Sequence, residues 1–262
     1  MFCLSPGSLF FLNAYTESAT TLTTIAASLL LRRKKYFLAA VVAGIASCVS
    51  PVGALFGVAL FVAVLYNKLG IVKAIALGIV SEIGALSYAL FLYIRFHNPL
   101  QNIAAESYWQ RHTVFPFSAI WRNILFLFTR KVTFAPVPLP QSNHNMFTVW
   151  IIDDFVGVVA LVVLGVVALK LLRKKLPQNM PVDWLVFFAL SAVLINSSDI
   201  TVIYNIPSTE AVARLLGSVF PFYPLAYIAF HRLKIIFPIL LSVGAALAVI
   251  AQIFEILDFW MT

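Results

Sequence analysis

The sequence predicts an all-α polytopic membrane protein with about seven or eight membrane-embedded helices. Three observations carry this. The 262 residues are 62% hydrophobic and only 11% charged, whereas a soluble chain carries about a quarter charged residues. One aqueous core cannot absorb that deficit, so lipid is the expected solvent. The apolar residues fall in runs of roughly 20, the length that crosses the hydrocarbon core as a helix. The basic residues stand in short clusters between those runs, which is how membrane topology is encoded.

The first expected span is Phe10 to Leu31, closed by Arg32, Arg33, Lys34 and Lys35. Tyr36 to Tyr66 is too long for one span and is interrupted by Ser50-Pro51-Val52-Gly53. Proline and glycine there predict two short helices meeting in a bend. Lys73 to Ile94 is the next span. Residues 95–147 form a polar, aromatic and proline-rich loop, whose middle, Phe117 to Phe128, is expected to be an interfacial or spanning helix. Phe147 to Leu172 follows, closed by Arg173, Lys174 and Lys175. The last three spans are Asp183 to Tyr204, Leu215 to Phe230 and Ile235 to Leu257. Residues 1–262 read as a single transmembrane domain, without repeats or low-complexity tracts.

Alternating these spans gathers four basic clusters on one side: residues 32–35, Lys68 with Lys73, residues 170–175, and Arg232 with Lys234. They hold 12 of the 18 lysines and arginines. Asp183 is the only acid on that side. The positive-inside rule therefore places it in the cytosol. The 36–66 hairpin dips in from the cytosol and returns. The amino terminus and the 95–147 loop face outside or an organelle lumen. The net charge of +8 thus encodes topology and not nucleic-acid binding. Cys3 and Cys48 form neither a disulfide framework nor a metal spacing. The opening MFCLSPGSLFF lacks the charged region and cleavage site of a signal peptide.

Glu17 lies inside the first span, where an ionisable group is costly and often functional. Asn13, Glu17, Thr20, Thr24 and Ser28 share one helical face. That face looks into a cavity or packs against a neighbour through polar contacts. Glu82, mid-span, reads as a structural acid that pairs with a base or stays neutral. Asp153 and Asp154 open a helix, where its dipole favours carboxylates. Arg111 and Arg122 on the outer loop suit a lipid phosphate, and equally anchor to headgroups. Arg214 precedes the apolar pair Leu215-Leu216, and pairs with Glu210 one turn earlier or with an anionic lipid. His97, His112, His144 and His231 show no metal spacing. No phosphate loop, dinucleotide fingerprint or nucleophile elbow is present. The sequon Asn196-Ser197-Ser198 sits at a span end, a poor place for glycosylation.

The segment from Ser5-Pro6-Gly7 through Asn13-Ala14-Tyr15-Thr16-Glu17-Ser18 resembles the proline, aromatic and Tyr-Thr/Ser-Glu-Ser pattern of PIG-V-like (GPI mannosyltransferase 2-like) membrane mannosyltransferases. In that family a span, a basic cluster and a helix ending near Arg-Pro-x-Gly follow. Here residues 32–35 and Ser50-Pro51-Val52-Gly53 take those places, with Ser50 where the pattern has arginine. Trp109-Gln110-Arg111 with Pro116 is similar to the family's outer Trp-x-Arg and proline segment. Ala213-Arg214-Leu215-Leu216 with Phe220-Pro221 is similar to its late Arg and Phe-Pro segment. The first match covers about the first quarter of the chain, and the others keep the family's order.

The resemblance implies a GT-C helical bundle and an inverting transfer of mannose, or a related hexose, on the outer or lumenal face. The donor would be a polyprenyl-phosphate sugar and the acceptor a lipid or glycan, such as a GPI-anchor precursor. A carboxylate would act as base towards the acceptor hydroxyl, and basic groups would hold the donor phosphate. Arg214, Arg111 and Arg122 are the implied phosphate ligands. Tyr15, Glu17, Ser18, Ser50, Pro51, Gly53, Trp109 and Pro221 are the implied motif positions. Family members carry a further span and an acidic outer loop ahead of the pattern, so the resemblance also implies the carboxy-terminal portion of a longer enzyme. Glu17 and Glu106 are the stand-ins for its base. No cofactor is specified, and a divalent cation is left open. The expected membrane is the bacterial plasma membrane, or the endoplasmic reticulum in a eukaryote. Two other functions fit the same features: a non-catalytic lipid-binding subunit working with a partner, and a small-molecule carrier built on broken helices and buried acids.

Overall fold

The computed structural model describes residues 16–106, 111–121, 146–174, 176–177, 180–201, 207–208, 212–231, 233 and 235–256. Helices dominate: α1 Thr16–Arg32, α2 Tyr36–Val49, α3 Pro51–Tyr66, α4 Ile71–Phe96, α5 Gln101–Glu106, α6 Met146–Leu172, α7 Val182–Ile195, α8 Val212–Ser218, α9 Phe222–Phe230 and α10 Ile236–Ile256. Alongside the expected helices stands a small antiparallel sheet of order β1-β2-β3, made of Arg111–Thr113, Ser198–Thr201 and Pro207–Ser208. Arg111 pairs with Ile200 and His112 with Asp199. Its strands come from segments with no local strand pattern, so only their mutual pairing defines them.

The bend at Ser50 forms as the sequence predicts. Ser50 closes α2 through its N–H on the Ala46 carbonyl (3.2 Å) and opens α3 by accepting the Gly53 N–H on its hydroxyl (3.0 Å). Pro51 takes the first helical position, where a missing N–H costs nothing. A methyl group at Gly53 would collide with the Ala46 carbonyl, so the two helices meet backbone to backbone. The 14 and 16 residues of α2 and α3 reach about 21 and 24 Å, against about 39 Å for the 26 residues of α4.

Every buried residue of α2 is alanine, glycine or serine. That small face lets α1, α3 and α4 close on it. Ser47 of α2 donates to the Gly44 carbonyl (2.9 Å) and accepts the Ala85 N–H of α4 (3.2 Å). Larger groups fill the other side. Phe56 of α3 meets Phe187 of α7 edge-on at 5.2 Å, and Phe220 sits against both Trp184 (5.7 Å) and Phe187 (6.2 Å).

Basic ends gather together. Arg32 lies over the Trp184 ring at 4.4 Å, Lys73 over the Tyr36 ring at 5.4 Å, and Lys170 donates to the Ile228 carbonyl. Three of the turns at this end put a lysine in the left-handed region: Lys34, Lys68 and Lys174, with φ of 59°, 58° and 52°.

Two helices, α4 and the Asp154–Leu172 part of α6, are long and apolar enough to cross a membrane. The apolar helices Tyr36–Val49, Pro51–Tyr66, Val182–Ile195 and Phe237–Leu247 are shorter. The expected run Asp183 to Tyr204 stops as a helix at Ile195, because Val114 and Phe117 donate to the Ser197 and Asn196 carbonyls and the chain turns into β2. The expected run Leu215 to Phe230 divides into α8 and α9 around Val219, Phe220 and Pro221. Asp153 and Asp154 stand two turns into α6, not in its first turn, so the helix dipole does not account for them. Between α5 and α6, residues 118–121 turn helically, Phe117 stands in a turn with φ of 63°, and residues 122–128 of the expected helix lie outside the described residues.

Candidate functional site

The polar face of α1 is buried along its length: Glu17, Thr20, Thr21, Thr24 and Ser28 are at most 6% exposed. Some of this is internal. The Thr24 hydroxyl donates to the Thr20 carbonyl (2.8 Å) and the Thr20 hydroxyl to the Thr16 carbonyl (2.9 Å), the usual way a threonine satisfies itself inside a helix. The remainder crosses to other helices at two places.

The first crossing is at the end opposite the basic turns. Thr20 and Ser50 share a hydrogen bond between hydroxyls at 3.0 Å. One residue on, the Thr21 hydroxyl donates to the Ser218 carbonyl at 3.0 Å. Ser218 ends α8, its hydroxyl donating to the Leu215 carbonyl (2.7 Å), and Tyr223 of α9 donates to the Gly217 carbonyl (3.1 Å). Glu17 is buried one turn above Thr20 on the same face. Arg214 stands one turn before Ser218 in α8. The start of α1, the tip of the α2–α3 hairpin and the Arg214–Pro221 segment therefore meet here, although they are far apart in sequence.

The second crossing is at the basic end. Ser28 donates to Asp183 Oδ2 (2.6 Å) and accepts from the Trp184 indole (3.0 Å). Asp183 is buried. The sequence signalled it only as the one acid on the basic side; Thr21 and Trp184 gave no signal of their own.

Of the residues singled out from sequence, Glu17, Ser18, Ser50, Pro51, Gly53 and Pro221 fall at or beside the first crossing. Arg111 is in β1 and Glu106 ends α5, both in the segment between α4 and α6. Tyr15, Trp109 and Arg122 lie outside the described residues, as do Asn13 and Glu210. Asn196 of the sequon is 2% exposed, and its amide donates to the Ala192 carbonyl (2.7 Å), so the geometry closes it to glycosylation. No group of three or more His, Cys, Asp or Glu placed to hold a metal occurs among the described residues.

The fold thus defines a predominantly helical protein with two helices long and apolar enough to cross a membrane and a polar junction joining α1, α3 and α8. No protein-family model, no curated protein and no solved structure matches the chain.

Proposed function

We propose that this protein is a multi-pass membrane glycosyltransferase of the GT-C type, moving mannose or a related hexose from a polyprenyl-phosphate donor to a lipid-linked or glycan acceptor on the outer or lumenal face. The membrane half of this reading is supported by apolar surface. Along α4, Ile75, Ile79, Ile83, Leu86 and Leu90 are each about half exposed or more, from 48% to 58%. A continuous exposed stripe of this kind is paid for only where the surroundings are themselves apolar or another protein covers it. Seven or eight embedded segments follow if α1, the α2–α3 hairpin taken as one segment or two, α7, the α8–α9 pair taken as one, and α10 lie within the bilayer together with α4 and α6.

The transferase half rests on one observation. The segments whose residues resemble the mannosyltransferase pattern, around Glu17, Ser50 and Arg214, come together through the Thr20–Ser50 and Thr21–Ser218 hydrogen bonds. An acid, an arginine position and the hydroxyls of Thr20, Thr21 and Ser50 on neighbouring segments, at the end of the bundle away from the basic turns, are the chemistry that a phosphate-linked sugar requires. The arginine on α8 would hold the donor phosphate, and a carboxylate such as Glu17 would take the proton from the acceptor hydroxyl.

Membranes containing this chain should transfer label from radiolabelled polyprenyl-phosphate-mannose to lipid, and Arg214→Ala should abolish transfer with expression intact. Unchanged turnover in Arg214→Ala removes that residue from the site. Glu17→Gln should lower transfer with the fold retained; full activity would leave Glu17 as packing. Binding of the polyprenyl lipid without transfer, by this chain and by one extended upstream, would instead favour a non-catalytic lipid-binding subunit.

A further inference from the structure

Glu82 is the acid the proposed transfer does not use. It lies midway along α4, on the side packed against the α2–α3 hairpin. Its Oε1 is sealed from the surroundings and has no hydrogen-bond partner among the described residues. The oxygen occupies the space that a side chain on Gly57 of α3 would fill, beside the Ser81 hydroxyl. The rest of the residue is partly exposed, next to the exposed Ile79, Ile83 and Leu86.

Among the described residues of α2, α3 and α4, no positive charge stands beside it. Residues 36–66, which form α2 and α3, contain no Asp, Glu, Lys, Arg or His. Their remaining proton-bearing side chains are the phenols of Tyr36 and Tyr66 and the thiol of Cys48, which carry no positive charge in either protonation state. On α4 itself Lys73 is about 14 Å away along the axis and Arg95 about 20 Å. Lys73 is engaged over the Tyr36 ring at the basic end, and Arg95 is in the last turn of the helix. Glu106 ends α5 beyond that turn. An ionised carboxylate in such a place would forfeit its hydration with nothing in return.

We propose that Glu82 is a proton-binding site within the membrane: a neutral carboxylic acid, seated in the notch that Gly57 leaves and reachable from the lipid. The inference rests on α4 spanning the bilayer and is independent of glycosyl transfer.

A hydrophobic carbodiimide tests it. The acid proton passes to a carbodiimide nitrogen while the carboxylate oxygen bonds to the central carbon. The acyl group then migrates to nitrogen, giving an N-acylurea that retains the whole reagent. Carbonate-washed membranes are treated with dicyclohexylcarbodiimide near neutral pH, and the adduct is mapped by peptide mass spectrometry. Glu82 should carry the adduct, lose it in strongly alkaline buffer and lose it in E82Q. A water-soluble carbodiimide with an amine nucleophile should leave Glu82 untouched. E82Q, a neutral isostere of a neutral acid, should unfold at the wild-type temperature in detergent. Failure of the hydrophobic reagent, labelling by the water-soluble one, or loss of fold in E82Q would each overturn the proposal. Absence of the chain from washed membranes would overturn the membrane reading itself, whatever the state of Glu82.

Discussion

The Ser28 hydroxyl donates to Asp183 Oδ2 at 2.6 Å, across 155 residues of sequence. Trp184, the next residue, donates its indole N–H to the same hydroxyl, and Arg32 lies over the Trp184 ring. One serine thus serves a buried carboxylate and a half-buried indole at once. Removing it takes the acceptor from the indole N–H and one donor from Asp183, whose carboxylate keeps the backbone N–H groups of Asp183 and Trp184 and the charge of Arg32.

Ser28→Ala is therefore expected to destabilise the protein by about 1–3 kcal/mol, the cost of leaving a buried polar group unsatisfied. Thermal unfolding in detergent reads it out. The double variant Ser28→Ala with Asp183→Ala should lose less than the sum of the two single losses, because one interaction is deleted twice. Additive losses would show that the pair is not coupled.

At the hairpin tip, Ser50→Ala removes the side-chain cap of α3 and the hydroxyl facing Thr20. A lost amino-terminal cap costs about 1 kcal/mol. Ser50→Gly should cost only a few tenths, since glycine is tolerated at a cap. Equal unfolding midpoints for the alanine variant and wild type would mean that the cap contributes nothing.

Two glycines of α4 should respond oppositely to alanine. A methyl at Gly84 would run into the Gly44 carbonyl of α2 and the Cys48 N–H. Gly84→Ala is expected to push α2 and α4 apart at about 1–3 kcal/mol, the usual cost of overpacking. At Gly78 a methyl would make only ordinary contact with Phe61, at 3.6 Å. Gly78→Ala should gain about 0.5–1 kcal/mol, because alanine has less backbone freedom to lose in a helix. A stability ranking with Gly84→Ala above Gly78→Ala would contradict the packing described.

Lys34 holds a left-handed conformation with φ of 59° while its N–H reaches the Leu31 carbonyl (2.9 Å) and the Lys35 N–H reaches the Leu30 carbonyl (2.9 Å). This is the helix ending that glycine usually fills. Lys34→Gly should raise stability by about 1 kcal/mol, the left-handed penalty of a residue with a Cβ. Orientation should be unchanged, since Arg32, Arg33 and Lys35 keep the turn basic. Accessibility labelling of an added terminal tag would detect an inverted topology.

The helices were legible because each is written locally. Runs of apolar residues, basic stops and the Ser50-Pro51 break carry their own instructions, so α2, α3, α4 and α6 begin and end within a few residues of their expected places. Glu17 and Ser28 were legible as one polar face because helical spacing puts them there. Asp183 gave only a hint, as an acid among bases. The ends of α7 and α8 were misplaced because the residues that stop them are not their own. Val114 and Phe117 draw the chain after Ile195 into a sheet, and Phe220, just past α8, packs on Trp184 and Phe187.

By itself, then, the sequence determined which segments are helical and apolar, where the hairpin breaks and where the positive charge collects. These depend on neighbours within a turn or two, and on composition. The tertiary structure alone decided that Thr20 meets Ser50, that Thr21 reaches Ser218, that Ser28 is shared between Asp183 and Trp184, and that Glu82 lies in the notch at Gly57. Each of these joins residues between 25 and 197 positions apart. Such contacts are set by how helices pack, through small residues on one face and aromatic ones on the other, and no local pattern records them.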